Sequence, residues 1–240
     1  MSYFKSFPKE LYQFANGDKA IMQNLSVYVD IVDQMKENAA FYQNYYIQDG
    51  DRPDNVSHRL YKNSKLHWTF FIMNDSIRER GWPLSKSSIV EKCKEDLPNI
   101  TLETRDDIDM FLKGTVVQGS ISGATGTVVR TDTSLGQVII ELTDESNFVV
   151  DDVISDVESN VSQTPTVLGV QLEYLSAHHY TDEEGEFVDY RTKEGWNDSA
   201  LKMTNLDYYQ QQNEELRQIR VIKPSSVNLI SSMFNKAVTS

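Results

Sequence analysis

The sequence predicts an α+β protein: an N-terminal extended arm, then a helix-and-ribbon module split by an inserted small all-β barrel. Three observations lead there. Helix-start signals at Pro53 and at Asn63 or Ser64 place two short helices within 52–73. From residue 97 to 172 the composition shifts to Gly, Thr, Ser and Val with turns at regular intervals, the pattern of short antiparallel strands. A strongly alternating strand, "RQIRVIK" (217–223), stands far downstream of helices too apolar to be left uncovered.

Residues 1–42 form the arm and a strand/helix segment. Tyr3, Phe4, Phe7, Tyr12 and Phe14 recur without a helical stripe, and "NGD" at 16–18 breaks the chain. Over 21–43 two periods compete. Ile21, Leu25, Tyr28, Val32, Met35, Ala39 and Tyr42 suit a helix, whereas Val27, Val29 and Ile31 alternate as in a strand. A strand near 25–32, a short helical turn and a strand at 43–48 are expected.

Residues 43–96 hold the first part of the module and a following helix. Pro53 opens a helix, where its missing N–H has no partner to lose, and Asp51 or Asp54 is placed to cap it. Val56, Leu60 and Tyr61 form its apolar face. Asn63 or Ser64 caps the next helix, whose Leu66, Trp68, Phe70, Phe71, Ile72 and Met73 are apolar nearly all round and so predict burial on more than one side. Gly81 and Pro83 end that region, and a serine-started helix covers 85–96.

Residues 97–172 are the inserted barrel, with strands expected at 115–118, 126–131, 137–142 and 148–154. A polar linker, "ESNVSQTPT" (158–166), leaves it. Residues 173–240 hold a hairpin turning at Asp182–Gly185, a polar helix over 204–216 and the closing strand, after which Pro224 stops the ribbon. Thr204 and Asp207 stand at capping-box spacing. Ser225 or Ser226 starts a final amphipathic helix with Val227, Ile230, Phe234 and Val238 inward.

The composition bounds function. Net charge is −13, and the acidic excess lies within residues 101–200, which disfavours nucleic acid because binding needs phosphate neutralisation. No apolar run approaches the ~18 residues of a membrane span. The opening "MSYFKSFPKELYQF" lacks a charged-then-apolar signal design, so no secretion signal is expected. Cys93 is the sole cysteine, which excludes an intrachain disulfide and a thiolate cage.

No motif assembles a catalytic, cofactor or metal site. "DGD" (49–51) fails as a calcium loop, having Asp54 where glycine and Leu60 where glutamate are needed. His178 and His179 are neighbours on a strand and should point to opposite faces. "SGATGTV" (122–128) has a phosphate loop's glycines but no following lysine. Around Cys93, "VEKCKED" carries no nucleophile signature, and nothing sets a carboxylate in an apolar pocket. The cluster of Tyr45, Tyr46, Tyr61, Trp68, Phe70, Phe71 and Trp82 could stack sugars or form a core.

The run "YYIQDGDRPDNVSHRLYKNSKLHWTFFIMND" (45–75) resembles a LysM module, in which a strand leads through a "GD"-type turn into two short helices. Together with "HWTFFIMNDSIRERGWP", "HHYTDEEGEFVDY" and "NEELRQIRVIKP", it is similar to the LysM-like baseplate wedge subunit of contractile-tailed (myovirus) bacteriophages, the gene product fifty-three family. The likeness covers about residues 20–96 and 173–235. Segment 97–172 departs from the shortest family members and resembles β-barrel modules inserted in phage structural proteins.

The resemblance implies a split LysM-like βααβ module closed by "RQIRVIK", with Tyr45, Tyr46, Leu60, Trp68, Phe71, Trp82, Ile219 and Val221 in its core. It implies a non-enzymatic virion structural protein of the tail baseplate, assembled in the host cytoplasm. Its partners would be other wedge proteins and sheath-proximal subunits, in a hetero-oligomer with several copies per baseplate. Contacts are expected through Tyr3, Phe4, Phe7, Tyr12 and Phe14 of the arm and Val227, Ile230 and Phe234 of the last helix. The alternative is a LysM-like protein that binds peptidoglycan or another glycan.

Overall fold

A computed structural model of the chain describes residues 8–23, 36–143, 145–157 and 164–239. In chain order its strands and helices are β1 (Lys9–Gln13), β2 (Lys19–Gln23), β3 (Tyr42–Tyr46), α1 (Pro53–Tyr61), α2 (Trp68–Met73), α3 (Asp75–Arg80) and α4 (Lys86–Asp96). Then come β4 (Ile100–Glu103), β5 (Val116–Gly119), β6 (Thr125–Asp132), β7 (Gln137–Leu142), β8 (Ile154–Asp156) and β9 (Gly169–Leu172). The last part holds β10 (Ala177–Thr181), β11 (Phe187–Val188), β12 (Arg191–Thr192), β13 (Gly195–Trp196), β14 (Leu201–Thr204), α5 (Asn205–Glu215), β15 (Gln218–Ile222) and α6 (Val227–Thr239). The fold mixes helices with antiparallel sheets and a curled half-barrel, in agreement with the α+β expectation. Two compact units result: residues 1–86 with 212–240, and residues 87–211.

In the first unit β15 pairs antiparallel with β3, from Gln218 opposite Tyr46 to Ile222 opposite Tyr42. Ile219 and Val221 alternate with exposed residues and point one way, into a core of Ile47, Val56, Phe70, Ile77 and Leu216. Ile222 joins Leu66, Met73, Val227, Ile230 and Phe234 in a second core. Both clusters reach Tyr61, whose hydroxyl donates to the Ile222 carbonyl at 2.9 Å. Burial pushes the Tyr61 phenol pKa up.

Local chemistry sets the helix ends. Pro53 sits in the first turn of α1, but neither Asp51 nor Asp54 caps it, since Arg52 is the N-cap and makes no side-chain cap bond. Asp51 instead accepts from Arg59, and Asp54 from Arg52. The stretch expected as one second helix starts as a 3-10 turn (Ser64–Leu66), capped by the Asn63 side chain, and resumes as α2. Ser226 provides the carbonyl that accepts from Ile230 N–H at the start of α6.

The arm is not extended where it is described. β1 and β2 form a hairpin in which Leu11 opposes Ile21 and Tyr12 opposes Ala20. "NGD" makes its turn: Gly17 has φ +90°, Phe14 N–H donates to the Asp18 carbonyl at 2.9 Å, and Asn16 Oδ1 accepts from Asp18 N–H. Tyr3, Phe4, Phe7 and the strand expected near 25–32 lie outside the described residues.

The second unit carries a six-stranded sheet in the order β8-β5-β6-β7-β4-β9, wrapped around Leu102, Phe111, Val117, Val138, Ile140 and Ile154. It is a curled half-barrel where a small all-β barrel was expected. β4 and β9 were not foreseen; they pair with each other, with Ile100 opposite Leu172. The strand expected at 148–154 is a loop up to Val153, because Asp152 turns its carboxylate inward and draws N–H groups to it. Hairpin β10–β11, β14 and the start of α5 fall in this unit, not with the closing strand as the sequence grouped them. Gln137 donates to the Ala177 carbonyl, and buried Asn205 donates to the Glu173 carbonyl at 2.8 Å. These bonds tie the segment to the sheet.

Candidate interaction surfaces

The "DGD" turn is built into the first unit. Arg217, 4% exposed, donates to the Ile47 carbonyl at 3.2 Å, the Leu84 carbonyl at 3.0 Å and Asp49 Oδ1 at 2.9 Å, and its Nε lies 3.1 Å from Glu214. Asp49 Oδ1 also accepts from Lys86 N–H, and the Trp82 indole donates to the Asp51 carbonyl at 2.6 Å. The Asp51 carboxylate accepts from Arg59 and from Gln48 N–H at 3.2 Å, so both carboxylates of the turn are held by cations and backbone donors. Asn74 locks the outer edge of β15, accepting from Arg220 N–H at 2.7 Å and donating to the Arg220 carbonyl at 2.8 Å.

The aromatic cluster is mostly interior. Phe70 is fully buried, with ring centroids 5.8 Å from Tyr61 and 5.8 Å from Trp82, and Trp68 lies 5.0 Å from Phe234. Tyr45, Leu60, Trp68, Phe71 and Trp82 are half-buried against the two cores, and Ile219 and Val221 are inside them. Tyr46 departs from its expected core place. It is 49% exposed because it follows Tyr45 on the strand and faces the other way, with its hydroxyl donating to Glu214.

Val227, Ile230 and Phe234 also depart from expectation. All three are within the second core of the first unit and cannot meet a partner. The outward face of α6 bears Leu229 and Met233 instead, 62% and 45% exposed.

The hairpin is different. Every residue from Lys9 to Lys19 is exposed, Tyr12 and Phe14 included, as are Ile21 and Met22. Cross-strand pairing sorts its faces. Lys9, Leu11, Gln13, Lys19 and Ile21 share one, and Glu10, Tyr12, Ala20 and Met22 the other. Tyr12 and Phe14 meet edge to face at 5.0 Å.

In the second unit Asp152 is fully buried and satisfied. Its Oδ1 accepts from Ile121 N–H at 2.7 Å and Ser122 N–H at 3.0 Å. Its Oδ2 accepts from the Ser122 hydroxyl at 2.7 Å and Val149 N–H at 2.8 Å. Burial would raise its pKa, but the bonds from Val149, Ser122 and Ile121 together hold the carboxyl below the usual range. Gly119 is required here, since a Cβ would stand 2.6 Å from the carboxylate. The two loops so joined expose Ile121, Val149 and Val150. An acid inside the aliphatic run "FVVDDVI" was the available signal for this anchor. Arg217 had none, because its partners other than Glu214 are far off in sequence.

His178 and His179 do not point apart. A bulge between Ala177 and His179 shifts the register of β10 against β14 and brings the two Nδ1 atoms to 2.8 Å. His178 stacks on Tyr208 with centroids 3.9 Å apart. That cover, with the neighbouring His179 and Arg130 charges, keeps its pKa below the ordinary imidazole value. Cys93 is buried on α4, and burial, with Asp96 and Glu173 nearby, pushes its thiol pKa up, away from a reactive thiolate. Among the described residues no three His, Cys, Asp or Glu side chains are grouped to hold a metal ion, and no helix is long and apolar enough to cross a membrane. Comparison of the chain with protein-family models and with curated proteins finds no match.

Proposed function

We propose that this chain is a non-enzymatic structural protein of a contractile phage tail baseplate, joining neighbouring wedge subunits through protein–protein burial. The observation that carries the reading is the hairpin, a two-stranded ribbon with Leu11, Tyr12, Phe14, Ile21 and Met22 all open to solvent. An isolated hairpin is at best marginally stable in water, so a partner that covers it supplies what it lacks. The ribbon β3–β15 with α1 and α2 supports the finer reading of a split LysM-like module, resting on the resemblance of residues 45–75.

The glycan-binding alternative draws less support. The rings that would stack sugars, Phe70, Trp82 and Trp68, are engaged with one another and with Phe234. The test is co-expression of the full chain, and of a chain lacking residues 2–23, with the neighbouring tail-cluster products. The full chain is expected in a sized complex that the shortened chain fails to enter. Equal entry by both would overturn the role of the arm, and capture of the full chain by purified peptidoglycan would favour the alternative.

A further inference from the structure

Charge is divided between the two units. The first carries 15 Lys and Arg against 12 Asp and Glu, a net of +3; the second carries 8 against 24, a net of −16. The division is repeated in miniature on two exposed apolar faces. On the hairpin, Leu11 and Ile21 sit side by side, 65% and 72% exposed, with Lys9 and Lys19 at the two ends of the same face and the acid Glu10 on the opposite one. On the half-barrel, Ile121, Val149 and Val150 are 66%, 40% and 51% exposed, and the next residue, Asp151, is exposed too.

The second face is preorganised. Its loops are fixed by the four bonds to Asp152, so little conformational entropy remains to be lost when it is covered. Both faces lie open in a single chain. Each has an aliphatic centre, and their flanking charges are opposite in sign.

We propose that the Leu11/Ile21 face of the hairpin docks on the Ile121/Val149/Val150 face of a second copy of this chain. The contact is heterologous, since the two faces differ. It therefore propagates head to tail, into a ring if the rotation closes and into an open array if it does not. The lysines steer and orient the approach to the acidic unit, while aliphatic burial supplies the affinity. This inference does not depend on the baseplate assignment, because it concerns copies of this chain alone.

The test is sedimentation velocity on the full chain from micromolar to millimolar concentration, with two double variants, Leu11→Asp/Ile21→Asp and Ile121→Asp/Val150→Asp. The wild type is expected to grow in mass with concentration. Each variant alone is expected to weaken self-association at least about tenfold. A mixture of the two is expected to form a dimer that stops growing, since one partner keeps an intact hairpin and the other an intact half-barrel face. Raising salt to about 1 M, where screening acts within ~3 Å, should weaken the wild-type contact. All four changed positions are exposed, and circular dichroism of each variant checks that the fold is kept. A wild type that stays monomeric throughout overturns the proposal, as does a mixture that associates no better than its components.

Discussion

Two antiparallel ribbons with five-residue strands meet opposite fates. β1–β2 is joined by residues 14–18 and stands open to solvent; β3–β15 is joined by residues 47–217 and is buried on the side of Ile219 and Val221. Closing the longer loop is about five doublings in length, or roughly 3 kcal/mol more costly. Burying Ile219, Val221 and Ile222 at about 1.5–3 kcal/mol each offsets that. The short ribbon forms easily and gains almost no burial of its own; the long one is hard to close and is held by what covers it. Ease of closure and stability are separate properties: the short ribbon has the first and the long ribbon the second.

The largest test of this contrast is Arg217→Ala. It removes the clasp from the Ile47 and Leu84 carbonyls and from Asp49, and is expected to destabilise the first unit by about 3–5 kcal/mol in denaturant unfolding followed by Trp68 and Trp82 fluorescence. A loss under about 1 kcal/mol would mean that the long ribbon closes without it.

Ile219→Ala comes next, at about 2–4 kcal/mol in the same assay, the range for truncating a fully buried aliphatic. Its counterpart, Ile21→Ala on the short ribbon, is expected within about 0.5 kcal/mol of wild type. Equal losses at the two positions would erase the distinction between the ribbons.

Asn74→Ala sharpens it at the edge of β15. Loss of both bonds to Arg220 should cost about 1–2 kcal/mol and speed hydrogen exchange at the Arg220 amide. Gly17→Ala is expected to cost about 1 kcal/mol, confined to the hairpin, since φ +90° disfavours a Cβ. Amide exchange should rise from residue 9 to 23 while denaturant unfolding of both units is unchanged.

Legibility in the sequence followed the distance over which an interaction acts. The capping box is complete as predicted: Thr204 N–H donates to Asp207 Oδ2, and Asp207 N–H to the Thr204 hydroxyl, each at 3.1 Å. The turn at Asp182–Gly185 was legible, as were three of the half-barrel strands, to within a residue or two. The N-terminal hairpin was readable but missed, since Asn16-Gly17 is a strong hairpin signal and only its chain-breaking role was used. The surfaces were least legible. On α6, Val227, Ile230 and Phe234 were expected both inward and in contact with partners, and their burial agrees with the inward place alone.

By itself the sequence determined that α1 opens at Pro53, that the chain turns at Asp182–Gly185, and that Ile219 and Val221 share a face, because the groups involved lie within about four residues of one another. The tertiary structure alone decided that Arg217 is buried against Asp49, that a bulge turns His178 toward His179, and which apolar residues remain outside. Each of these depends on which distant backbone arrives beside the residue, and side-chain periodicity carries no record of that.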